Sequence, residues 1–178
     1  NLAVKAKTLY LNNNMRLAIS GKKEGSRIIL TPSFKEGISR IENFDELVDT
    51  SKRHHETLVW NPEKMESDEK YQFLNRYKGS ILVCTGSGIM NAVLYKDLLA
   101  GIIILLEEWS AHEECMLYGG VAYYLSIYDK AIIVKGKESN KIGRSGVSQT
   151  VYNKSSFTTA LKSFLSEMSN DNKASLIL

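Results

Sequence analysis

Cysteine is scarce in this chain: Cys84 and Cys115 are the two in 178 residues, and no CxxC spacing joins them. That excludes a disulfide framework and a zinc ribbon, and it favours a reducing compartment. Proline is equally rare, with only Pro32 and Pro62, so few positions are barred from regular structure by a missing N–H. No apolar run approaches the ~20 residues that cross a bilayer; the longest is 98–106. Residues 1–5 show no secretory leader pattern, and the missing initial methionine leads us to expect a fragment of a larger polypeptide. The formal net charge is only +3, too small to imply nucleic-acid binding through bulk electrostatics.

Several catalytic signatures are also missing. His112-Glu113 lacks the second histidine of HExxH, and His54-His55-Glu56 places neighbouring side chains on opposite faces of an extended segment. Gly86-Ser87-Gly88 lacks both the third glycine of a dinucleotide fingerprint and the Gly-Lys-Ser/Thr of a P-loop, so a plain turn is favoured there. There is no nucleophile elbow, and neither cysteine has an electropositive neighbour in sequence.

What remains is the composition of one ordinary domain: 43% hydrophobic and 24% charged residues suffice for a single core. We expect a single α+β domain over 1–170 and a flexible tail at 171–178. Strands are predicted at 7–11, 15–20 and 27–31, the last two forming a hairpin. Asn43 is an N-cap candidate for a helix over 44–52, with Glu46 at the capping-box position. An extended stretch at 57–60 precedes a polar loop at 61–70, and 80–85 is a strand. Strands follow at 121–128, 131–134 and, at an edge, 147–152, with a Gly/Ser/Lys loop at 136–146. An amphipathic helix at 156–168 closes the pattern.

Residues 98–106 are apolar on every side, so periodicity does not separate helix from strand. Lys96-Asp97 before the run and Glu107-Glu108 after it favour one long buried helix over about 96–115, packed on a mixed, mainly antiparallel sheet. Three consecutive isoleucines favour the alternative, a strand at 101–106 followed by a helix at 110–117.

The two tryptophans both stand beside acids. Trp60 lies in Val59-Trp60-Asn61-Pro62-Glu63, and Trp109 in Glu107-Glu108-Trp109-Ser110-Ala111-His112-Glu113-Glu114. Two indoles near carboxylates suit a flat cationic ring, because the indole face carries negative quadrupole density; partly buried packing residues are the plainer alternative. From 130 to 154 the basic residues Lys130, Lys135, Lys137, Lys141, Arg144 and Lys154 face one acid, Glu138.

The segment from Leu105 to Met116 resembles the cap-binding domain of influenza-type polymerases of segmented negative-strand RNA viruses. In that family a buried apolar helix ends in an aromatic residue followed by serine, acids, cysteine and methionine. The resemblance covers about 55–118. It implies that Trp109 and Trp60 sandwich 7-methylguanine, with Glu63 and Glu113 as carboxylates at the base. Lys52, Arg53, Lys137 and Lys141 are then candidates for the cap phosphates. This chain departs from the pattern by one extra residue before Cys115-Met116 and by lacking basic residues after Thr85. The function implied is non-catalytic binding of capped RNA or 7-methyl-GTP, without a cofactor or metal. The domain would be one module of a cap-snatching viral polymerase, beside other polymerase domains, off the membrane and in the host cytoplasm or nucleus.

If 101–106 is instead a strand, the order of strand, acidic helix and strand resembles nucleoside-deoxyribosyltransferase-like α/β folds. Glu107 or Glu114 would then be nucleophile or acid–base group, and pairing of 101–106 within a parallel sheet is the observation that favours this reading. A protein-interaction domain without a small ligand is the third possibility.

Overall fold

A computed structural model describes residues 25–35, 37–86, 88–107, 131–142 and 147–174. Chain order gives β1 (Ile28–Leu30), the short hairpin β2 (Phe34–Lys35) and β3 (Ile38–Ser39), α1 (Phe44–Lys52) and β4 (Thr57–Val59). Next come α2 (Ser67–Arg76), β5 (Ser80–Cys84), α3 (Gly88–Leu94) and β6 (Leu99–Leu106). The long strand β7 (Ala131–Ile142), β8 (Val147–Tyr152) and α4 (Lys154–Ala174) complete the described fold. Six strands form one mixed sheet in the order β4-β1-β5-β6-β7-β8.

Among the described residues of this sheet, every pairing from β4 across to β7 is parallel and only β7–β8 is antiparallel. The fold is therefore α+β with a mixed sheet, but the expected antiparallel majority is corrected. β1 has parallel partners on both sides, β4 and β5, so no edge remains for the hairpin expected between 15–20 and 27–31. Residues 1–24, and the strand expected at 121–128, lie outside the described residues.

The long helix expected over about 96–115 is also corrected. A short 3-10 turn at Lys96–Leu98 leads into β6, whose Ile102–Leu106 stretch pairs with Ala131–Lys135 of β7 and whose Gly101–Ile104 stretch pairs with Ile81–Cys84 of β5. The cause is burial on both faces. Ile103 and Leu105 join Ile28, Leu30, Ile81 and Val83 beneath Leu47 of α1 and Phe157, Leu161 and Phe164 of α4. Ile102, Ile104 and Leu106 join Ile29, Leu82 and Cys84 beneath Leu74 of α2 and Ile89 and Ala92 of α3. A strand covered on both sides has no polar face to alternate with, so it reads as an unbroken apolar run.

Helix α1 spans the expected residues, but Asn43 does not cap it with its side chain. Its amide pairs with the backbone of Tyr152 instead, donating to the carbonyl at 2.9 Å and accepting the N–H at 3.0 Å. The segment before α1 is thereby stitched to β8, with Ile41 bridging Thr150. Helix α4 continues to Ala174, past the tail boundary expected at 170. No described helix is long and apolar enough to cross a membrane.

Candidate functional site

Numbered by chain order, the parallel strands β1, β4, β5, β6 and β7 run 2-1-3-4-5 across the sheet. The order reverses between β1 and β5, and open α/β sheets form their ligand crevices beyond the strand ends at such a switch. The local sequence explains how the two strands part here. Thr31 continues the ladder for one residue, its N–H reaching the Val83 carbonyl at 2.9 Å and its hydroxyl donating to the same oxygen at 3.2 Å. Pro32 then has no N–H to offer. On β5, Gly86 turns the chain at φ +51, a conformation that favours glycine. Gly88 starts α3 so close to β1 that a Cβ there would lie 3.1 Å from Thr31 Oγ1.

Between these ends lies a cavity of about 270 Å³. Pro62, Met90 and Leu94 give it apolar walls, while Ser33, Glu63, Lys70 and Asn91 contribute polar side chains. Glu63 sits in a one-turn 3-10 helix, Pro62–Lys64, with its N–H on Asn61 Oδ1 at 3.3 Å. Lys70 comes from α2, whose start is secured by a reciprocal capping box between Glu66 and Glu69. The 61–70 stretch was expected to be a loop; the Glu66…Glu69 spacing ahead of Tyr71 and Leu74 was the signal for that helix.

Next to the crevice, at the end of β6, is a buried polar cluster. Arg40 Nη2 donates to Glu107 Oε2 at 2.5 Å, and the Glu107 side chain is only 3% exposed. Gly86 lies against the same guanidinium, since a Cβ there would sit 3.6 Å from Arg40 Nη1. Tyr152 of β8 lies near this pair, and burial, with the Glu107 charge second, holds its phenol well above the usual range. A Glu107 carboxylate so enclosed is placed to orient its surroundings.

Of the residues proposed for cap binding, those that are described lie on several elements. Trp60 is 2% exposed, stacks on Phe73 with centroids 5.3 Å apart and planes 7° apart, and donates its indole N–H to Met65 Sδ at 3.0 Å. It packs as a core aromatic. Glu63 does line the crevice. Trp109 and Glu113 lie outside the described residues, as do Glu114 and Cys115. Lys52 and Arg53 end α1, before β4 begins, and so stand at the opposite end of the sheet from Glu63; Lys52 Nζ is 3.7 Å from Asp49. Lys137 is exposed on β7 beyond its pairing with β6, and the Lys141 backbone continues that strand opposite Ser148. The loop expected over 136–146 is thus largely a β7–β8 hairpin. Among the described residues no group of His, Cys, Asp and Glu is placed to hold a metal ion.

Comparisons with protein-family profiles, with curated proteins and with solved structures found no match to this chain.

Proposed function

We propose that this chain is a nucleoside-processing enzyme of the deoxyribosyltransferase-like type, acting in the crevice between β1 and β5. The observation that supports this most directly is the parallel pairing of Leu99–Leu106 between β5 and β7. It sets Glu107, directly after β6, at the same end of the sheet as the crevice. Glu107 is committed to Arg40 and almost fully enclosed, so the nucleophile falls to Glu114, further along the chain. Its carboxylate would attack the anomeric carbon, the base would leave with the bond electrons, and water or a second base would then take the sugar.

The crevice suits such a ligand. A volume of about 270 Å³ lies just under the ~300–1,000 Å³ of pockets for drug-sized molecules, which fits one or two rings. Met90 is 46% exposed at a wall of that crevice, and a thioether contact with an aromatic ring is worth about 0.3–1.5 kcal/mol. Cap recognition by paired indoles is the less favoured reading, because Trp60 would first have to leave its stack on Phe73.

The test is incubation with ribo- and deoxyribonucleosides, following free base by chromatography. Base release or base exchange is expected. Glu114→Gln should lower it at least ~100-fold with an unchanged circular dichroism spectrum, as loss of a covalent nucleophile does. No release or exchange with any nucleoside would overturn the proposal.

A further inference from the structure

Tyr152 belongs to β8, at the far edge of the described sheet, yet its phenol reaches toward the crevice. The register shows how. Lys135 of β7 pairs with Leu106, and Gly136 pairs with Tyr152, so Glu107, Gly136 and Tyr152 stand level on neighbouring strands. Val83, Leu105 and Val134 belong to the core under α1 and α4, and Thr85, Glu107 and Gly136, two residues on, fall on that same face. A glycine on β7 leaves the face open at this level. The Tyr152 ring lies over it, where a Cβ would come within 2.8 Å of Cε1. The ring thus crosses β7 toward the ends of β6 and β5.

What the phenol meets there is polar. Burial first and the Glu107 charge second keep it protonated, while the Thr85 hydroxyl and then Arg40 pull the other way, so all three side chains stand beside it. Glu107 is engaged by Arg40 through Oε2 and acts on the phenol through its charge rather than by a hydrogen bond. Thr85 is 3% exposed and lines the crevice. The phenol oxygen is buried and completes no hydrogen bond among the described residues, a costly state for a hydroxyl. Polar contacts at a binding site often fall short of hydrogen-bond geometry and tighten when a ligand closes it. A protonated phenol has one donor. Once that proton lies on Thr85 Oγ1, the threonine's own proton turns to the space it borders, which is the crevice.

Resting on the nucleoside reading above, we infer that Tyr152 is a positioning residue for the crevice: it holds the Thr85 hydroxyl so that Thr85 donates to a hydrogen-bond acceptor of the bound nucleoside. Thr85 makes the contact. Tyr152 does not touch the ligand and acts only through the threonine.

The experiment is calorimetric binding of inosine, adenosine, uridine and cytidine to wild type, Thr85→Val, Tyr152→Phe, the double variant and Thr85→Ser. These changes keep the side-chain outlines close, and circular dichroism confirms that the variants stay folded. Thr85→Val should weaken the nucleosides that wild type binds by about 10-fold, the size of one hydrogen bond, and Tyr152→Phe by about 3- to 10-fold. Because the tyrosine acts through the threonine, the double variant should bind no more weakly than Thr85→Val alone. Thr85→Ser keeps the hydroxyl and should stay within about 3-fold of wild type. A tyrosine with a merely structural role would weaken binding by the same factor whether residue 85 is threonine or valine, and that additive result would overturn the inference. So would unchanged affinity in Tyr152→Phe or Thr85→Val, a Thr85→Ser loss as large as that of Thr85→Val, or no nucleoside binding. Base release by wild type together with additive losses would leave the enzymatic reading standing without this role for Tyr152. Coupled losses without base release would uphold the role and defeat the enzymatic reading.

Discussion

Arg40 holds the Glu107 carboxylate at 2.5 Å, joining a segment that precedes α1 to the end of β6 across 67 residues of chain. The arginine keeps 19% exposure while the glutamate keeps 3%, so the pair is open to water from one side only. Removing the arginine would leave a carboxylate in a place that hydrates it poorly. We expect Arg40→Met to cost about 3 kcal/mol in urea unfolding, at the low end of the range for breaking one side of a buried pair. Arg40→Met combined with Glu107→Leu should regain much of that loss, because the second change removes the stranded charge. A single-variant cost below about 1 kcal/mol would show that the pair contributes little to the fold.

Trp60 stacks on Phe73 with nearly parallel rings, which removes one indole face from any ligand. Trp60→Ala should destabilise the fold by about 3–5 kcal/mol, as for other buried aromatic truncations. A cap-binding platform would tolerate the change far better. For the same reason 7-methyl-GTP should quench tryptophan fluorescence no more than GTP does. Strong, methyl-dependent quenching would restore the sandwich between Trp60 and Trp109.

Local signals in the sequence carried the elements whose cause is local. The extended segment before Trp60, the 80–84 strand and the 147–152 edge strand follow from turn residues and β-branched runs. The strand at Leu99–Leu106 did not, because its cause is tertiary: helices cover both faces, and an apolar run on a doubly covered strand carries no period. Asn43 shows the same limit. It has the identity of a helix cap, yet β8 claims its amide, and nothing within four residues of it announces Tyr152. At the site, Glu63 was found through its neighbour Trp60 for a reason that the packing of Trp60 undercuts. Lys70 carries no such pointer, because the polar 61–70 stretch reads as a loop by composition although it holds the start of a helix.

Gly136 marks where β7 passes β8 with no room for a side chain. A Cβ there would lie 2.1 Å from Thr150 Cγ2 and 2.8 Å from Tyr152 Cε1, closer than real atoms approach. Gly136→Ala should therefore cost about 1–3 kcal/mol, the usual penalty for overfilling a packed site. Adding Thr150→Ser removes the nearer of the two obstacles and should recover only part of that, since the Tyr152 ring remains. Denaturant midpoints of the single and double variants decide it. A neutral Gly136→Ala would mean that the two strands separate there in solution.

Tyr152 links this packing to pH. Tyr152 is 1% exposed, and its pKa is raised above the ordinary 10.0, first by burial and then by the Glu107 charge, against the smaller opposing effects of Thr85 and then Arg40. The fold thus favours the protonated phenol. Unfolded, the same group ionises near its ordinary value, so the unfolded state releases a proton that the folded state keeps. Stability from this group is fully present below about pH 10 and is lost as pH rises from the unfolded value toward the folded one. The measurement is the melting temperature of wild type and Tyr152→Phe between pH 7 and 11. The phenylalanine variant should lose less stability over the last unit than wild type does, narrowing whatever gap separates them at neutral pH. Parallel curves throughout would mean that the hydroxyl reaches water in the folded state and that the cluster beside the crevice is wet.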